Sequence, residues 1–282
     1  MVVTLLFLAG LLSIILGIIV LIGQPHRYVS WFFFGTTLTT ALWSVGVGAF
    51  LIVENSMALL GIAQAYYIAA AGIAFFMLLT TISLIGGVKK WLYGVLSLPF
   101  IVMAGIIAFA PNALIREISV GTVHTIELNM NFYALYVAYF VAFYLMTLLY
   151  AMFHMLHRDH TAAMHAQLKM IVYAYGLAGF FGMLFNLFLP ATGNYLLIWV
   201  GPLCLFIFVP MVYVAIAKHQ LFDIKLAFVR SSTYLLSLSV LSLLYFGIIY
   251  IISEFAFRST SSSNLGTSPL YVVAALVLAF VF

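Results

Sequence analysis

The sequence predicts an all-α polytopic membrane protein: a seven-helix bundle followed by at least one or two further transmembrane helices. Three observations predict it. Hydrophobic residues make up 67% of the 282 residues and charged residues only 6%. The mean hydropathy is +1.27. Apolar runs long enough to cross a bilayer recur along the chain. A soluble domain is about a quarter charged, and a chain this poor in charge has too little polar surface to face water all round. Soluble enzymes and nucleic-acid-binding folds are therefore excluded. The net charge of +4 sits in the connections, where it reports topology.

A span needs about 20 apolar residues. Runs at 2–23, 31–53, 57–86, 91–110, 132–153, 170–189, 195–217 and 233–253 meet that length. The first is too long for a signal-peptide core and precedes no small-residue cleavage site, so it reads as a retained span. A ninth run opens at Leu270 and reaches Phe282. As a helix it rises about 20 Å, short of the hydrocarbon core, so the expectation is a span cut short with more chain beyond it.

The connections are short except at 111–131, which is polar. Its middle reads either as a small β-hairpin or as an irregular loop. As a hairpin, Gly121-Thr122 would form a two-residue turn with Gly first. That register pairs Val120 with Val123 and Arg116 with Glu127, an opposite-charge cross-strand pair. Residues 259–264, Ser-Thr-Ser-Ser-Ser-Asn, form a flexible polar linker.

Orientation follows from Lys and Arg. With the N-terminus outside, the inner connections hold Arg27, Lys89, Lys90, Arg158, Lys169, Lys218, Lys225 and Arg230, and the outer ones only Arg116 and Arg258. This bias places 111–131 outside. Trp31, Trp91 and Trp199 stand at or near span starts, where indole favours the interface.

Ionisable residues inside a span are costly and mark ion or proton pathways. The acids Glu54, Glu117, Glu127, Asp159, Asp223 and Glu254 all lie in connections or at span ends. That disfavours a proton-coupled transporter and an intramembrane aspartyl protease, and a retinal protein is disfavoured because Lys218 only appears where span seven ends. Cys204, the one cysteine, forms neither an intrachain disulfide nor a Cys-based metal site. His154, His157, His160 and His165 crowd one inner loop. On a single helix His154, His157 and His165 would share a face, at about 0°, 300° and 20°. Imidazole is a common metal ligand, but this is one box without supporting carboxylates. A solvated inner loop and a metal site are the two readings, and the first is preferred. No metal or cofactor is expected.

Among uncharged side chains, Gln64 and Asn186 are the clearest polar groups at depth, each read as an interhelical hydrogen bond or a ligand contact. Gly176, Ala178, Gly179 and Gly182 form a small-residue strip that lets a neighbouring helix approach. Phe132, Tyr136, Tyr139, Phe140 and Phe143 fall on one helical face. That face reads as bundle packing or, with Tyr66 and Tyr67 adding hydroxyls in span three, as an aromatic pocket for a small apolar or amphipathic ligand entering from the outer side. The candidate pocket residues are Tyr66, Tyr136, Tyr139 and Asn186. Pro202 and Pro210 remove helix hydrogen bonds and should kink the seventh span, which makes them candidate pivots of a lever.

Residues 218–233 read Lys-His-Gln-Leu-Phe-Asp-Ile-Lys-Leu-Ala-Phe-Val-Arg-Ser-Ser-Thr, directly after Val-Tyr-Val-Ala-Ile-Ala. With seven preceding spans, this resembles the N-terminal seven-transmembrane sensor region of bacterial histidine kinases, in the form with further spans after the seven. Leu221, Phe222, Asp223 and Ile224 match the family's step after its last sensor span, and Lys218 and Lys225 flank it. Arg158, Gln167, Leu168 and Lys169 resemble its run into span six. The resemblance covers about residues 1–232 as architecture and is specific only near 150–232. It implies a sensor bundle at 1–217, a cytoplasmic connector at 218–232 and an additional transmembrane hairpin at 233–282, in a bacterial inner membrane. It implies signal input to a cytoplasmic output module, with Pro202, Pro210 and Leu221–Ile224 as the relay. The expected partners are the lipid bilayer, a small ligand or membrane stimulus and a second copy of the chain, and nucleic acid is not among them. The catalytic half of such a kinase has no counterpart here: neither its phosphoacceptor-His helix nor its Gly-rich ATP domain is present, nor is a phosphate loop. No catalytic residue is assigned. The alternative class is a small-molecule or lipid transporter, or a membrane accessory protein; third is a metalloenzyme using the histidine loop.

Overall fold

The computed structural model describes residues 2–86, 89–121, 124–157 and 162–219. They belong to one compact unit, Met1–Lys225. The expected span at 233–253, the run from Leu270, and the Leu221–Ile224 step lie outside the described residues.

The chain is mostly helical, and six helices are long and apolar enough to cross a membrane. In hydrocarbon every backbone polar group must be satisfied internally, and a helix does this within one segment. The helices are α1 (Val2–Gly23), α2 (Tyr28–Phe50), α3 (Ser56–Ile85) and α4 (Lys90–Phe109). A short turn α5 (Pro111–Leu114) and strands β1 (Ile115–Ser119) and β2 (Thr125–Leu128) follow. Then come α6 (Met130–His157) and α7 (Ala162–Met183), the latter running through a π-helical segment (Leu184–Phe188) into α8 (Leu189–Ala191). The last described elements are α9 (Val200–Leu203) and α10 (Leu205–His219).

Local chemistry sets the ends. Asn55 caps α3: its Oδ1 accepts from the backbone N–H groups of Met57 and Ala58 at 3.0 and 3.1 Å. Gly86 closes it with φ +77°, a conformation that glycine adopts without strain. The helix α7 begins eight residues before the predicted 170, because Ala162–Lys169 is rich in good helix formers. The helix α6 likewise runs four residues past the predicted 153. The predicted inner loop is therefore largely helix, with His154 and His157 on α6 and His165 on α7. His154 is buried, its Nδ1 3.0 Å from the Tyr150 carbonyl oxygen.

Neighbouring helices alternate in direction. Ser44 donates to the Leu6 carbonyl at 2.7 Å and Ser13 to that of Thr37 at 3.2 Å, which fixes α1 antiparallel to α2. The pair α2 and α3 approach closely at Gly46, where a Cβ would meet Tyr66 Cβ at 2.7 Å, and at Gly72, which faces Thr39. Gln64 Nε2 donates to the Ile107 carbonyl at 2.8 Å, the interhelical bond expected of it, here between α3 and α4. Only 11% of the α4 apolar window is buried, so this helix is peripheral. The α6 tyrosines bind both neighbours. Tyr136 and Tyr139 donate to the Tyr67 and Ala71 carbonyls of α3 at 2.8 and 3.2 Å. Tyr133 and Tyr144 donate to the Leu187 and Gly176 carbonyls of the α7 rod at 2.7 and 2.6 Å.

Two expectations are corrected. The hairpin exists and is antiparallel, and Arg116 lies 3.9 Å from Glu127. Its register is not the predicted one: Ser119 pairs with Thr125 and Glu117 with Glu127. An irregularity between Ile115 and Glu117 shifts the pairing by one residue, so Glu127 stands opposite Glu117 and not Arg116. Second, 195–217 is not one continuous helix. Gly193 at φ +79° and an Asn194 side chain accepting from the Leu196 N–H at 3.1 Å hold 192–199 in turns. Pro202 has no N–H to give to the Ile198 carbonyl, so a helix cannot run unbroken through 195–202, and the one-turn α9 ends at Cys204 before α10. The apolar stretch Val200–Ala215 is shorter than the six long spans.

Candidate functional site

A cavity of about 60 Å³ lies inside the bundle. From α2 it is lined by Thr36, Thr40 and Trp43, and from α3 by Tyr66, Tyr67 and Ala70. Tyr136 and Phe140 come from α6. The α7 rod contributes Tyr175, Ala178, Gly179, Gly182 and Asn186, and the broken helix contributes Gly201, Cys204, Leu205 and Phe208. On α7 the offsets 0, 3, 4, 7 and 11 from Tyr175 keep to one face. On α2 the offsets 0, 4 and 7 from Thr36 do the same.

The walls are aromatic and mutually ordered. The Tyr66 and Tyr67 rings lie 4.6 Å apart, and Tyr67 meets Tyr136 edge-on at 5.5 Å. Phe50 packs edge-on against Tyr66 at 5.8 Å. The hairpin covers this end of the bundle: Tyr195 donates to the Ile126 carbonyl at 2.9 Å, and His124 meets the Phe50 ring at 5.8 Å.

Polar groups line this apolar space without partners. The hydroxyls of Tyr66, Tyr67 and Tyr175 and both amide atoms of Asn186 are buried with no hydrogen-bonding partner. Asn186 is 9% exposed, Tyr175 4%, and Tyr66 and Tyr67 2% each, so bulk water does not serve them. Each such group costs about 1–3 kcal/mol if left unsatisfied. Asn186 stands in the π-helical segment, a helix irregularity frequently found at functional sites. Its amide nitrogen lies against Gly201, where any Cβ would overlap it.

Of the four pocket residues expected from sequence, Tyr66, Tyr136 and Asn186 line the cavity. Tyr139 lies outside the lining; its hydroxyl bonds Ala71 and its ring packs on Phe143 at 4.6 Å. The small-residue strip has two roles. Gly179 accommodates the Tyr144 ring, while Ala178 and Gly182 leave the cavity open. Trp43, Tyr175 and Phe208 are among the lining residues not expected from the sequence, although their helical spacing to Thr36, Asn186 and Cys204 was a usable signal. Pro202 is buried directly after Gly201, and Pro210 is exposed within α10. Leu221, Phe222, Asp223 and Ile224 lie outside the described residues. Among the described residues no three His, Cys, Asp or Glu side chains cluster as a metal site.

Comparison with protein-family models, with curated proteins and with solved structures finds no match.

Proposed function

We propose that this multi-pass membrane protein is the signal-input region of a histidine-kinase-like signalling protein. A stimulus received in the cavity biases the broken α9–α10 helix, and the 218–232 connector passes that bias to a cytoplasmic output module. One observation carries the reading: the cavity's unpartnered Asn186 amide rests on Gly201, at the start of the helix that leads to the connector. An occupant that draws the amide into the cavity changes its contact with α9. A ligand shifts such an equilibrium only by its differential affinity for the two arrangements. The Cys204 break and Pro210 remove backbone bonds that would make α9–α10 a single rigid rod. The resemblance of Leu221–Ile224 to the sensor-to-effector step of these kinases supports the direction of transmission. The N-terminus outside and a bacterial inner membrane follow from the Lys and Arg distribution and from the same resemblance.

The test is to read the gene past Phe282 and assay the complete protein. A cytoplasmic phosphoacceptor-His and ATP-binding domain supports the proposal. A stop codon close behind Phe282, together with solute uptake into vesicles, supports the transporter instead.

A further inference from the structure

We propose that the cavity binds one small neutral molecule carrying both a hydrogen-bond donor and an acceptor, of the class of short-chain primary amides and alcohols, with Asn186 as its anchor. Size sets the first limit. A water needs about 10–15 Å³ of such space, so the cavity of about 60 Å³ takes about four water-sized groups. An engineered apolar cavity of about 150 Å³ stays dry and takes benzene; this one is smaller and, unlike that one, polar at one side. Benzene-sized rings and lipid tails are therefore too large. Charge sets the second limit. The described lining residues include no Asp, Glu, Lys, Arg or His, and an ion without a counter-charge is costly to bury. Hydrogen bonding sets the third. The Asn186 amide offers two donors and an acceptor, none of them engaged. A primary amide meets it reciprocally, its N–H groups on Oδ1 and its carbonyl on Nδ2, whichever way the Asn186 amide is turned. Trp43 and Tyr66 supply the apolar walls for a short alkyl stem. This names the ligand class of the signal-input reading and rests on that reading for its consequence; the binding itself belongs to this chain alone.

The experiment uses the full chain in lipid nanodiscs, with Trp31, Trp91 and Trp199 changed to Phe so that emission reports Trp43. Acetamide is the probe and benzamide the oversized control. The expected result is a saturable change with acetamide and none with benzamide. Binding should be about tenfold weaker in Asn186→Leu and in Asn186→Ala. A non-saturating response, or one equal in wild type and both variants, overturns the proposal and leaves the cavity to water. If Asn186→Leu fails to insert, Asn186→Ala decides: unchanged binding there overturns the proposal. Binding that leaves the complete protein's output unmoved retires the signal-input reading and keeps the site. Output that responds to a stimulus without acetamide binding retires the site and keeps the reading.

Discussion

The side-chain nitrogen of Asn186 fills the space that a Cβ on residue 201 would need, so the π-helical segment touches α9 only because residue 201 is glycine. This contact joins a buried amide without partners to the start of the broken helix. It is the point at which a change in the cavity would reach α10.

Gly201→Ala should therefore displace the Asn186 amide. Overpacking of this kind costs about 1–3 kcal/mol. The expected outcome is a lowered unfolding temperature in nanodiscs with insertion retained. The double variant Gly201→Ala, Asn186→Ala should recover much of the loss. A double variant less stable than Gly201→Ala alone would show that the clash is not the cause.

Tyrosine-to-phenylalanine changes should separate bonded from unbonded hydroxyls. Tyr136→Phe removes the bond to the Tyr67 carbonyl and should cost about 1 kcal/mol. Tyr66→Phe removes a hydroxyl without a partner and should be neutral or stabilising. Equilibrium unfolding of the two variants checks the order, and a larger cost at Tyr66 would mean that its hydroxyl is satisfied by an occupant.

Much of this architecture was legible in the sequence, and the misses have physical causes. Hydropathy reports where a helix can lie in lipid, not where it ends. Ala162–Lys169 is polar enough to read as loop and yet helical by propensity, so α7 was drawn short. Conversely, 195–217 is apolar throughout, which hides the Gly193 turn and the Pro202 break. The hairpin was visible in its alternation and charge pair, but its register depends on an irregularity near Ile115 that no residue type announces. Tyr66, Tyr136 and Asn186 stand out in the sequence as polar or aromatic groups at depth, and the fold sets them round one cavity. That the Tyr139 hydroxyl is spent on a helix carbonyl is something spacing does not reveal. The pocket's far wall required the fold, since Phe208 and Tyr66 line one cavity only when α10 has returned to the bundle.

The basic residues make a topology prediction. With Cys204→Ala as background, Ser231→Cys should react with an impermeant thiol reagent only after the membrane is opened. Labelling in intact cells would reverse the orientation.

The histidines make a metal prediction. His154 and His157 stand on α6 and His165 on α7, and His154 is turned to its own helix backbone. Chelator-washed protein should hold no stoichiometric zinc or iron. Metal retained by wild type and lost in His154→Ala, His157→Ala would contradict this.

The central claim is that the Asn186–Gly201 contact and the broken α9–α10 helix carry a signal. The most direct measurement is the output activity of the complete protein in inside-out membrane vesicles, compared among wild type, Asn186→Leu and Pro210→Ala at equal insertion. Both changes should shift the output level while leaving the protein in the membrane. An output identical in all three would contradict it.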